Sequence, residues 1–135
     1  MSTNQLIIEQ VSPFDVPVTV EKIIAAANQK GWQNPAVHNL QQSLAKSGKE
    51  VRPVQVVEIC KPAYSGRMLE LDNERIVSVM MPCRISVYEK SDGRTYIAVL
   101  DMMAFPGGLP STVIEAVQAA NDESHEIIQS VIGSF

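Results

Sequence analysis

Cysteine is scarce in this 135-residue chain, with two in all, and aromatic residues make up only 5% of it. Two thiols cannot build the disulfide framework of a small secreted domain. They stand at 60 and 83, so neither a Cys-x-x-Cys redox motif nor a zinc ribbon is present. Basic residues are also few, 11 against 15 acidic, for a net charge of −4. No basic run is interleaved with aromatics, so a nucleic-acid partner is not expected. No apolar stretch reaches the roughly 18 residues of a membrane span, and no membrane partner is expected. The opening residues lack the basic and apolar regions of a secretory signal, which points to a cytoplasmic protein with both thiols reduced. Glycine-rich phosphate fingerprints are missing, and no complete catalytic motif appears.

What is there is an ordinary globular balance, 45% hydrophobic and 19% charged, with a mean hydropathy of +0.02. At this length the chain is expected to form a single domain, residues 1–135, with its own core. Residues 5–11 read as a strand. Thr19 is placed to cap a helix whose Val20, Ile23, Ile24 and Ala27 make one apolar stripe, stopped at Gly31. WQNPAVHNL reads as irregular or a brief strand. A short helix near 38–47 is expected to bury Leu40 and Leu44. Residues 53–60 are β-branched, a strand that breaks at Pro62, and 63–71 suggest a brief helix. Residues 83–89 and 95–101 are strands joined at Asp92-Gly93, a strong hairpin signal. FPGGLP, 105–110, reads as a loop. Thr112 and Glu115 match a capping box opening a long helix to about Ile132. The expected fold is α/β of the α+β type. It is a four-stranded, largely antiparallel sheet with helices mainly on one face, in the order β-α-α-β-α-β-β-α.

A two-residue turn at Asp92-Gly93 sets a register in which opposed residues sum to about 185. Arg84 then faces Asp101, Ile85 faces Leu100, Val87 faces Ala98, and Cys83 faces Met102. Ile85, Val87, Ala98 and Leu100 would form the buried face. Cys60 ends one strand and Cys83 begins another. Antiparallel neighbours would put both at one end of the sheet, and parallel neighbours at opposite ends.

The stretch CKPAYSGRMLELD followed by MMPCRISVYEKSDG resembles the family named "domain of unknown function 302". The matching residues are Cys60, Pro62, Leu69, Asp72, Pro82, Cys83, Ile85, Val87, Tyr88 and Glu89. Lys61 stands where the family usually has Asn, and Ser65 where it has Ala. The resemblance implies a small α/β fold and a homodimer, and it brings no established reaction.

The candidate site residues follow from chemistry. Cys60 and Cys83 are candidate thiols for redox or sulfur chemistry, since the thiolate is the reactive form. Lys61 is a candidate ligand contact beside them. Met80, Met81, Met102 and Met103 bring thioethers, and Cys60, Cys83 and Met102 form a candidate soft-metal set of the kind that suits Cu(I). Methionine equally fills irregular gaps in cores. Glu58, on a face with Val54, Val56 and Cys60, is a candidate general base. His125 with Asp122, Glu123 and Glu126 reads as a solvated helix face. The expected function is a dimeric binding protein for a small ligand or soft metal near the two cysteines. The alternative is a thiol-dependent enzyme or sulfur carrier using Cys60 and Cys83.

Overall fold

A computed structural model describes residues 6–104 and 110–133. Five strands form one antiparallel sheet: β1 (Ile7–Ser12), β2 (Val37–Asn39), β3 (Val54–Ile59), β4 (Cys83–Glu89) and β5 (Thr95–Leu100), in spatial order β1-β5-β4-β3-β2. The four helices are α1 (Val16–Gln29), α2 (Leu40–Ala45), α3 (Pro62–Leu69) and α4 (Ser111–Ile132). Two 3-10 segments, Asn73–Met80 and Met102–Ala104, complete the described elements. The sheet therefore has five strands, not the four expected, and an extra strand falls between α1 and α2. It lies in the stretch read as irregular or a brief strand, and of those two it is the strand, three residues long and beginning two after Pro35, which has no N–H for a ladder. Asn34 compensates: its Nδ2 donates to the carbonyl of Glu58 at 2.7 Å.

Strand alternation puts Val57, Ile59, Ile85, Val87, Ile97 and Val99 on one face. There they pack against Val16, Val20 and Ile23 of α1 and Ile127, Ile128 and Val131 of α4. All are buried. Burying a side chain of this type contributes roughly 1.5–3 kcal/mol, so this seam is the main source of stability.

The α1 cap is Asp15, whose Oδ1 accepts Val18 N at 3.0 Å. Thr19, expected as the cap, is instead fully buried within the first turns, its hydroxyl 2.7 Å from that of Ser12. Pro17 is tolerated there because a first-turn N–H has no helical partner. α4 begins one residue before Thr112 and has no side-chain cap, so the Thr112–Glu115 box is not used. Leu40 and Leu44 are 39% and 40% exposed, not buried, since the six-residue α2 buries none of its side chains. The FPGGLP loop falls, but for its final proline, outside the described residues.

The hairpin register also differs from expectation. Ile85 pairs with Val99, Val87 with Ile97 and Glu89 with Thr95, one residue away from the two-residue-turn pairing. The connection has three residues. Gly93 N donates to Lys90 O at 3.0 Å and Lys90 N to Arg94 O at 3.1 Å, with Gly93 at φ +78°. That is a turn followed by a left-handed residue, the usual geometry of a three-residue hairpin loop. Because side chains alternate, the one-residue shift exchanges the faces of β5. Val99 and Ile97 turn inward, and Ala98 and Leu100 turn to the open face. Arg84 meets Glu58 at 3.6 Å instead of Asp101.

Candidate functional site

β3 and β4 run antiparallel, with Ile59 opposite Cys83, so both cysteines lie at one end of the sheet. They do not form a pair. Both are free, and successive residues of a strand face opposite ways. Cys83 shares the face of Ile59, and Cys60, one residue on, does not. Cys60 Sγ lies 3.6 Å from Ser65 Oγ, and its backbone is bridged to Gln33.

Cys83 opens onto a cavity of about 220 Å³ between the ends of β4 and β5, the 73–80 segment and α4. Its wall carries four methionines, Met68, Met80, Met81 and Met102, together with Val77, Val99 and Val117. Three of these methionines also pack on a second apolar cluster built from Met68, Val77, Val113, Ala116 and Val117. The methionines thus sit where a long helix meets an irregular segment, a junction whose gaps suit a flexible thioether. Met102 is not on β5 opposite Cys83. It stands in the 3-10 turn after the strand, and it reaches the cavity from there. Met103 is 46% exposed.

Burial pushes the Cys83 thiol above its ordinary pKa, and Cys60 adds to the rise. At neutral pH the neutral thiol therefore faces the cavity. The polar part of the wall includes Asn121 and Ser124 of α4, 7% and 5% exposed. Asn121 Oδ1 accepts Met102 N at 3.1 Å, and the Ser124 hydroxyl donates to Asn121 O at 2.9 Å. Sequence reading passes over both. The signal that could have found them is that polar residues at 121 and 124 fall within the apolar stripe of α4, between Val117 and Ile128.

Glu58 lies on the other face of the sheet. Its carboxylate takes His38 Nε2 at 3.0 Å and Arg84 Nε at 3.6 Å. It is well shielded, its side chain 12% exposed, but it points away from the face that holds Cys83. Lys61 does not enter the cavity either. Its Nζ donates to Glu123 Oε1 and to Lys30 O, at 2.9 and 3.0 Å.

Glu123 is the centre of a polar cluster and not part of a solvated face. Trp32 Nε1 donates to it at 2.9 Å, as does the Tyr64 hydroxyl. Burial opposes ionisation of Glu123, but the donors Tyr64, Lys61 and Trp32 outweigh it and hold the carboxyl down to about 2. The cluster ties α3 and the turn after α1 to α4. Among the described residues, no group of three or more His, Cys, Asp and Glu gathers to hold a metal. No helix of the described residues is long and apolar enough to cross a membrane.

The class these features define is an α+β domain: an antiparallel five-stranded sheet, α1 and α4 packed on one of its faces, and a thioether-lined cavity beside α4. The chain belongs to the family "Domain of unknown function DUF302", whose model matches residues 8–132. It is similar to a solved structure, described as the crystal structure of an uncharacterized conserved DUF302 protein from Bacillus stearothermophilus. The TM-score is 0.79 at 18% identity, covering 94% of this chain and 98% of the other. At that identity the likeness concerns the fold. The curated proteins contain no match.

Proposed function

We propose that this protein binds a small apolar ligand in the methionine-lined cavity beside Cys83. The observation that carries the reading is the cavity itself: about 220 Å³, walled by thioethers, valines and one protonated thiol, with few polar groups. Smaller apolar cavities, about 150 Å³, take up benzene when left empty of polar groups. Methionine walls adapt to ligand shape and interact well with aromatic rings. The test is a toluene titration followed by amide NMR. Saturable shifts are expected at Cys83, Val99, Val117 and Asn121, and Ala120→Phe, which fills the cavity, should remove them. No saturable shift in the parent protein would sink the reading.

A second reading is supported by the meeting of Cys83 with Met80, Met81 and Met102 at one cavity. Thiolate and thioether donors are the set that suits Cu(I), and binding would release the thiol proton. Competition against a Cu(I) chelator, with Cys83→Ser as control, tests it. The thiol-enzyme reading is the weaker one, because the Cys83 thiol is pushed up and Glu58 faces the other way. The protein is further proposed to be cytoplasmic, on its two free thiols, and a homodimer, on the apolar groups of the open sheet face.

A further inference from the structure

Four of the chain's six methionines gather at one cavity: Met68, Met80, Met81 and Met102. Met68 is only 5% exposed, but Met80, Met81 and Met102 are half-buried. Val79 and Arg84 border the same cavity, and both reach solvent, Val79 being 84% exposed and the Arg84 side chain 64%. Small molecules in water therefore have a way in. Met80, Met81 and Met102 also pack on the buried cluster of Met68, Val77, Val113, Ala116 and Val117. Three thioethers thus stand between an apolar core and a cavity open to water.

These thioethers are the readily oxidised groups of the wall. Attack on a peroxide needs a sulfur lone pair. A thiol is strongly nucleophilic only as the thiolate, and burial keeps the Cys83 thiol protonated at neutral pH. A thioether has no proton to lose, so its lone pair is available at any pH. The sulfur attacks one oxygen of hydrogen peroxide, and the S–O bond forms as the O–O bond breaks. Sulfur gives up an electron pair, and the other oxygen leaves with both protons as water. The sulfoxide so formed is polar where methionine is apolar. An apolar ligand would strip water from that oxygen and leave it unsatisfied, which opposes binding. Methionine sulfoxide reductase reverses the change: the oxygen leaves as water while two thiols are oxidised to a disulfide.

Taking the cavity as the ligand site proposed above, we infer that Met80, Met81 and Met102 are a modification site that regulates it. Hydrogen peroxide converts them to sulfoxides, the oxidised cavity releases its apolar ligand, and methionine sulfoxide reductase restores binding.

The test treats the whole protein with graded hydrogen peroxide at neutral pH. Added oxygen is located by peptide mass mapping, and toluene binding is followed by amide NMR. Sulfoxide should form at Met80, Met81 and Met102 before any oxygen is found at Met68 or Cys83. Toluene affinity should fall about tenfold or more as it forms, with the sheet signals retained. Methionine sulfoxide reductase with a dithiol should bring the affinity back. A variant carrying Met80→Leu, Met81→Leu and Met102→Leu keeps the apolar volume, so it should bind toluene and go on binding it after the same treatment. Unchanged affinity with all three sulfoxides formed overturns this inference and leaves the cavity reading intact. Oxygen at Cys83 before these methionines overturns it in the same way, as does an equal loss of binding in the leucine variant or global unfolding of the oxidised protein. An untreated parent protein that never binds toluene overturns both readings. Should the leucine variant fail to fold, the reductase decides on the parent protein: a loss of binding that it cannot reverse overturns the inference.

Discussion

Glu123 shows how one side chain links three parts of the chain. Its carboxyl holds Trp32 from the turn after α1, Lys61 from the end of β3, and Tyr64 from α3. Its pKa is depressed from an ordinary 4.5 to about 2, so the folded state prefers the ionised form more strongly than the unfolded chain does. The stability this confers is present above pH 4.5 and is lost as pH falls through 2. With the side chain 23% exposed, the contribution is on the order of 2–3 kcal/mol. Acid unfolding followed by circular dichroism should therefore show a steep loss between pH 4.5 and 2. Glu123→Gln should flatten that limb and lower stability at neutral pH. Lys61 belongs to this cluster, which gives a physical role to the lysine that stands where the family usually has Asn.

Cys83 makes a second expectation at the same scale. Its thiol is protonated and lines the cavity, so a thiol reagent should modify it slowly at pH 7. The rate should climb about tenfold per pH unit into the alkaline range, beyond the point where an ordinary thiol levels off. A bound ligand should slow it further. Fast modification of Cys83 at pH 7, located by peptide mapping, would contradict the burial described above.

At the scale of elements, the β4–β5 hairpin depends on Gly93 at φ +78°. A side chain there meets no neighbour, so the cost of substitution is conformational and not a clash. A β-branched residue in the left-handed region costs roughly 1–2 kcal/mol, and Gly93→Val should lower the melting temperature accordingly. Asp92 supports the same loop by accepting Arg94 N at 2.9 Å. For α1, Asp15→Ala removes the cap to Val18 N and should cost about 1 kcal/mol, measured by urea unfolding. The same substitution at Thr19, buried against Ser12, tests a packed hydroxyl and not a cap.

For the whole molecule, the sheet has one face under α1 and α4 and one face open. On the open face Ile7, Val11 and Leu100 are 55%, 42% and 39% exposed. Ile7 and Leu100 are cross-strand partners. Exposed apolar groups of this kind mark association surfaces when they are contiguous. The proposed homodimer should therefore come apart on Leu100→Lys with the fold retained. Light scattering at matched concentrations checks it, and an unchanged dimer would move the interface elsewhere.

Much of this molecule is legible from residue order. The apolar stripes of α1 and α4 announce which helical faces enter the core, and the β-branched runs at 54–59, 83–89 and 95–100 announce strands, because local periodicity records burial directly. The family resemblance is carried by residues from Cys60 to Glu89. The position of the hairpin is visible in Asp92-Gly93, but its register is not. The same dipeptide serves two-residue and three-residue loops, and that one-residue difference decides whether Val99 or Leu100 is buried. β2 stays undecided between strand and irregular chain because of its brevity and of Pro35. The antiparallel course of β3 and β4, the separation of the two thiols and the gathering of Met68, Met80, Met81 and Met102 around one void were decided only by tertiary packing. Each depends on residues far apart in the chain arriving at the same place, and nearest-neighbour order carries no record of that distance.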